Sequence, residues 1–297
     1  MPPRLSANDF EPELLLLFDA YVHGDLDRRG FLRRARRFAK AGVGAAGLLA
    51  VLAPDFAAGQ QVRPDDARLV ATRASVASPA GHGRIDGYLV RPAQAASARL
   101  PAVVVIHENR GLNPHIEDIA RRLALAGYLS FAPDALTPVG GYPGDEDRAR
   151  ERFATLDPAK TREDLLAAVA WLRSRADGNG RLGAVGFCWG GGIVHWLATR
   201  VAELAAAVPF YGPVPPAADA AKVRAALLVH LADVDERVNA GWPGYEAALA
   251  AAGVDFTVHR YAGTQHGFNN DTTPRYDAAA ATLAWERTLA FLARHLR

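Results

Sequence analysis

Residues 183–192 read GAVGFCWGGG and hold the chain's only cysteine, Cys188, with Gly186 and Gly190 two positions to either side. The run that leads in, RLGAVGF at 181–187, has the short apolar character of a buried strand. The run that leads out, GGGIVHWLATRVAEL at 190–204, is compatible with a helix. Strand, sharp turn and helix are the setting of the G-x-S-x-G nucleophile elbow. Here the pattern is Gly186-Phe187-Cys188-Trp189-Gly190, with sulfur where oxygen is usual. So tight a turn brings neighbouring backbone to where a Cβ would stand, and glycine tolerates those dihedrals. The competing reading is an inert buried cysteine, since free cysteine is among the most buried residue types.

Working outward, strands and helices alternate. ARLVATRASVAS (67–78) and GRIDGYLVRPA (83–93) read as an opening antiparallel pair. LPAVVVIHE (100–108) is a continuous apolar run, as expected of a strand covered on both faces. Helical spacing follows at HIEDIARRLALAG (115–127), then a strand at YLSFAPDAL (128–136), then a helix at 162–180 with Thr161 as its N-cap. After the elbow come strands at 204–212, 223–233 and 254–263, a helix at 242–253 and a closing helix over 277–297. The expected architecture is α/β: a mostly parallel central sheet flanked by helices.

In such sheets the reacting groups gather at the carboxyl ends of the strands. This chain puts His107-Glu108-Asn109, Cys188, Asp233 with Asp235, and His266 at four of those ends. Nucleophile, acid, histidine is the chain order of α/β-hydrolases. An inert cysteine accounts for none of this.

Four stretches carry a family resemblance: HENRGLNPHIEDIARRLALAGY (107–128), GAVGFCWGGG (183–192), DVDERV (233–238) and GTQHGFNN (263–270). From about Asp65 onward the sequence resembles the dienelactone hydrolase (carboxymethylenebutenolidase) family of the α/β-hydrolase fold. The resemblance implies a cysteine nucleophile at Cys188, a base at His266 and an acid at Asp235, with Asp233 second. It also implies that Glu108 contacts the resting thiol and helps generate the thiolate. Two substrate-gripping arginines belong to the family pattern. The first falls in GDEDRARERFATL (144–156), where Arg150 matches best and Arg148 and Arg152 are neighbours; the second position is occupied by Asn270. An amide supplies neither the charge nor the fork of arginine, so a less acidic lactone or ester fits as well as dienelactone.

The chemistry also follows from the residues themselves. His266 takes or holds the thiol proton, Asp235 fixes the ring, and the thiolate attacks a carbonyl to give a thioester that water cleaves. The backbone N–H groups of Trp189 and Asn109 are the expected oxyanion donors. Trp189 and Phe268, with Phe187 and Trp242, are candidates for an apolar substrate pocket. The sequence HEN at 107–109 lacks the second histidine of a zinc-binding H-E-x-x-H helix, and no metal or organic cofactor is implied. Activity on another acyl group, as an esterase, thioesterase or deacetylase, is the alternative within the fold. A non-catalytic binding or thiol-sensing protein is the alternative outside catalysis.

A net charge of +2 gives no nucleic-acid footprint, and one cysteine excludes an intramolecular disulfide framework. The N-terminus differs from the rest. A helix-like FEPELLLLFDAYVHG (10–24) precedes Arg28-Arg29-Gly30-Phe31-Leu32, and a mild apolar run extends from about Ala41 to Ala53. Paired arginines before such a run resemble a twin-arginine export signal, which is an address read by the export machinery and not an anchor. The run is shorter than the ~20 residues of a membrane span. The expectation is therefore an extension at 1–58, a linker at 59–68, and a hydrolase domain at 69–297. The protein is then exported or periplasmic, and otherwise cytoplasmic. Against the signal stand the long segment ahead of the arginines, Asp27 beside them and the lack of an A-x-A site. A helical extension packed on the domain is the other reading.

Overall fold

The computed structural model describes residues 5–39, 43–95 and 99–297. Its sheet has eight strands: β1 (Leu69–Ser78), β2 (Gly83–Pro92), β3 (Leu100–Ile106), β4 (Leu129–Pro133), β5 (Gly178–Phe187), β6 (Leu204–Phe210), β7 (Ala226–Val234) and β8 (Phe256–Gln265). Their spatial order is β1-β2-β4-β3-β5-β6-β7-β8. β2 runs antiparallel to both β1 and β4, and every later pairing is parallel. β3 is buried at all of its positions, which is why it shows no polar alternation.

The helices are α1 (Pro12–His23), α2 (Arg28–Ala35), α3 (Ala45–Leu52), α4 (Phe56–Gly59), α5 (Pro114–Leu125), α6 (Glu146–Phe153), α7 (Pro158–Arg173), α8 (Trp189–Ala198), α9 (Glu236–Asn239), α10 (Trp242–Ala251) and α11 (Ala278–Leu296). Burial divides the sheet's apolar side chains between two cores. One packs against α7, α8 and α10, the other against α5 and α11. α7 starts four residues earlier than its Thr161 cap predicts. Asp157 accepts from the N–H groups of Ala159 and Lys160, while the Thr161 hydroxyl is turned back onto the Asp157 carbonyl.

The N-terminal helices form a third apolar cluster, in which Phe18, Tyr21, Phe31 and Leu52 are buried. Residues 40–42, at the start of the expected apolar run, lie outside the described residues. Among the described residues no helix is long and apolar enough to cross a membrane. Arg28 pairs with Asp147 at 2.5 Å, the Tyr21 hydroxyl donates to the same carboxylate, and Arg275 reaches Asp19 at 3.1 Å. The expected linker is strapped down. The N–H groups of Gln61 and Val62 both donate to Asp118, and Arg121 donates to the Val62 carbonyl.

Candidate active site

The elbow owes its shape to two close approaches. A Cβ on Gly186 would stand 2.2 Å from the Gly190 carbonyl oxygen, and one on Gly190 would stand 2.4 Å from that of Ile106. No side chain fits either position, so the chain turns sharply and Cys188 takes φ 54°, ψ −117°. Backbone of this kind is costly for a residue with a Cβ and persists where the surroundings over-determine it. Its N–H donates to Phe210 O at 3.1 Å, tying the turn to β6.

Three further strand ends converge there. Asp235, the N-cap of α9 after β7, accepts from His266 Nδ1 at 2.6 Å. That bond puts a hydrogen on Nδ1 and leaves Nε2 available; Nε2 is buried without a hydrogen-bond partner among the described residues. Ring nitrogens of His266 and His23 and the Cys188 sulfur all lie within 4.8 Å of one another. Asp233 faces elsewhere, accepting from the Gly263 N–H at 3.1 Å. Burial on its own pushes the Cys188 thiol up. The charge of the nearby His266 and the hydrogen bond with His23 outweigh it and hold the thiol down at about 6. Burial likewise disfavours the His266 cation, but the Cys188 charge and the Asp235 bond raise it to about 10. A buried thiolate and imidazolium stabilise each other, so both shifts express one ion pair.

Glu108, after β3, accepts from Asn270 Nδ2 at 3.0 Å. Asn270 Oδ1 in turn accepts from the N–H and hydroxyl of Thr272. The amide at the arginine-like position is thus occupied in orienting Glu108. Trp189 opens α8, so its backbone N–H is among those that no carbonyl of its own helix can take, and Asn109 follows β3 in the cavity wall.

The cavity on Cys188 has a volume of about 390 Å³, with Glu108, Asn109, His266 and Asn270 in its wall. Phe18, Tyr21, Val22 and Arg28 of the extension close it from the other side. A larger, open crevice of about 770 Å³ along α1 reaches His266 and Asp235 but not Cys188.

The expected substrate-binding side chains fare differently. Phe268 is fully enclosed and packs on Tyr211, Phe210 and Tyr261, so it is core and not pocket. Phe187 and Trp242 are buried in the same way. The Trp189 ring stacks on His107 and meets Phe153, away from the cavity. Arg150 is taken up by α1: it donates to Tyr21 O at 2.7 Å and covers the Tyr21 ring. Arg152 donates to Gly141 O, and Arg148 is exposed.

Arginines the sequence reading did not single out, Arg110 and Arg275, do line the cavity. Arg110 lies 3.7 Å from Glu146 and bonds Asn109 and Val22, and Arg275 is paired to Asp19. His23 was also missed. The i, i+4 spacing of Asp19 and His23 on a helix was the available sign, but it does not say what the pair faces. Among the described residues, His23, Cys188 and His266 are also the one set that could take a metal ion. Arg237 donates to His23 Nε2 at 2.9 Å, the nitrogen that also faces the sulfur.

A family model, the dienelactone hydrolase family, matches residues 85–296. The chain belongs to the dienelactone hydrolase family. It is a hydrolase of the α/β-hydrolase superfamily. A second family model, described as YqhI-like, matches residues 1–41. An Escherichia coli K12 protein named "Putative carboxymethylenebutenolidase" is 33% identical over 247 residues, which span 78% of this chain and 89% of that protein. "Putative hydrolase fragment YghX" of the same organism is 53% identical over 111 residues, covering 37% of this chain and 94% of its own. Among solved structures, a dienelactone hydrolase-like promiscuous phosphotriesterase from metagenomic libraries superposes with a TM-score of 0.66 at 26% identity. It covers 77% of this chain and 100% of its own.

Proposed function

We propose that this dienelactone hydrolase family member is a cysteine-dependent hydrolase of a lactone or small carboxylic ester, working through a thioester on Cys188. The observation that carries the reading is the elbow sulfur facing His266, whose far nitrogen is bonded to Asp235 at 2.6 Å. Relatives bear the names "Putative carboxymethylenebutenolidase" and "Probable 2-oxo-3-(5-oxofuran-2-ylidene)propanoate lactonase", which describe hydrolysis of this class of bond.

The thiol proton passes to His266 Nε2 and the S–H electron pair stays on sulfur. The thiolate adds to the carbonyl carbon, and the developing oxyanion is received by the N–H groups of Trp189 and Asn109. As the carbonyl re-forms, the ester C–O bond breaks and the departing oxygen takes the proton from His266. Water then adds to the thioester, giving its proton to His266, and the C–S bond breaks to release the acid and the thiolate. Asp235 keeps the ring in one tautomer and steadies its cation throughout. Glu108, fixed by Asn270, lines the same cavity as Cys188, and the family resemblance gives it a part in generating the thiolate.

The charge of the cavity supports a substrate that is not itself a strong anion. Arg28, Arg110 and Arg275 are each matched by a carboxylate, Asp147, Glu146 and Asp19, and Arg150 is spent on α1. Among the described residues, no guanidinium lining the cavity is left over to form a carboxylate clamp. The test compares kcat/KM for dienelactone with that for a neutral five-membered lactone or an acetate ester, with Cys188→Ala as blank. Equal or higher activity on the neutral substrates, lost in the blank, is expected. A tenfold preference for dienelactone, about 1.4 kcal/mol, would refute the charge argument, and an active Cys188→Ala would refute the mechanism.

A further inference from the structure

Cys188 has a second histidine neighbour, and it comes from the other end of the chain. His23, the last residue of α1, holds Nε2 3.4 Å from the Cys188 sulfur. Its Nδ1 lies 2.8 Å from Asp19 O and 3.2 Å from Asp19 Oδ2. A carbonyl oxygen only accepts, so Nδ1 carries the hydrogen and Nε2 presents either a lone pair or a second, charged N–H to the sulfur. The Asp19 carboxylate is itself braced by Arg275 at 3.1 Å. The His23 and His266 rings meet edge-on, with centroids 4.7 Å apart. The sulfur is flanked by two histidine–carboxylate pairs: His266 with Asp235 from the hydrolase domain, and His23 with Asp19 from the extension.

We infer that His23 is a catalytic residue, a second base for Cys188 contributed by the N-terminal extension. The inference rests on the reading of Cys188 as nucleophile. The one thiol proton then has two alternative acceptors. In the step His23 performs, the S–H bond breaks with its electron pair left on sulfur, the proton forms an N–H bond on His23 Nε2 in place of His266 Nε2, and His23 returns it to the departing oxygen as the ester C–O bond breaks. The resulting cation is stabilised by Asp19 and the thiolate by two imidazoles in place of one. Burial disfavours the His23 cation, yet its bonds to Asp19 and Cys188 raise its pKa above the ordinary histidine value. The groups facing His23 are Asp19 on its own helix, Cys188 and His266 on the domain, and Arg237 of α9. Arg237 donates to Nε2 only while that nitrogen keeps its lone pair, and its exposed side chain is free to withdraw when the proton arrives. A corollary is that the working enzyme keeps its extension, since removal of residues 1–58 would take His23 with it.

The test uses the full chain with His23→Gln and His23→Ala, and reads the pH dependence of iodoacetamide alkylation. With one cysteine in the chain the modified thiol is unambiguous. Alkylation needs no substrate, so it reports on the contact of His23 with sulfur even if Cys188 proves not to be the nucleophile, a question answered separately by Cys188→Ala turnover. In both variants the midpoint is expected to rise by about one pH unit, an approximately tenfold fall in thiolate well below it. The acid limb of kcat/KM should move by the same amount. An unmoved midpoint in a folded His23→Gln protein overturns the inference. So does a lowered Tm with reduced kcat and no shift of midpoint, the signature of packing alone. Should the alanine variant fail to fold, His23→Gln, of similar volume, decides the matter.

Discussion

Lowering the pH from 9 to 5 while following alkylation of Cys188 tests the proposed ion pair at its source. With the thiol held at about 6, half of it is thiolate at pH 6. An ordinary thiol near 8.5 is only about 0.3% ionised at that pH, so the folded protein holds roughly 160 times more thiolate. A less basic thiolate is also a weaker nucleophile. With a Brønsted coefficient of about 0.4–0.5, a fall of ~2.5 units costs about 10- to 18-fold in intrinsic reactivity. The net expectation is an advantage of about tenfold at pH 6 over the same chain in denaturant, less whatever burial of the sulfur subtracts. The midpoint is the sounder observable, because restricted access scales every rate on the curve equally. The sign is fixed: reactivity and kcat/KM rise as pH climbs through about 6, and kcat/KM falls again only as His266, held up to about 10, loses its proton. A midpoint at 8 or above in the folded enzyme would refute the thiolate–imidazolium pair, and the cysteine mechanism would lose its activating device.

Other substitutions probe the parts separately. Asp235→Asn should leave the protein folded but reduce kcat on the order of 10⁴-fold by presenting the wrong tautomer of His266, as steady-state kinetics on an acetate ester would show. Asn270→Ala leaves Glu108 and both Thr272 donors without their partner; about 1–3 kcal/mol of stability should be lost in urea unfolding, and kcat/KM should fall with it. Gly190→Ala sets a methyl 2.4 Å from the Ile106 carbonyl oxygen and 2.5 Å from that of His107, backbone that cannot yield, so soluble folded enzyme should be hard to obtain; a normal Tm would contradict the elbow geometry. Phe31→Ala empties a fully buried site in the extension, and the resulting loss of about 3–5 kcal/mol should appear as protease sensitivity of residues 5–39 and reduced kcat/KM while the sheet domain stays intact.

Consecutive residues carried a large part of this molecule. The elbow glycines are demanded by contacts with residues four positions away and with a neighbouring strand, and the unbroken apolar run of β3 records burial on both faces. From these the α/β sheet, the order Cys188, Asp235, His266 and the family resemblance could all be read. What could not be read was decided by pairings across most of the chain. Asn270 meets Glu108 across 162 positions, and His23 meets Cys188 across 165. Arg150 looks like a free cation on α6 until α1 lays the Tyr21 carbonyl over it, and Phe268 looks like a pocket wall until Tyr211 and Tyr261 enclose it. Periodicity and turn chemistry are local and survive in the linear sequence. Which surfaces a helix such as α1 covers depends on docking contacts that no neighbouring residue encodes, and in this protein that docking decides what stands beside the sulfur.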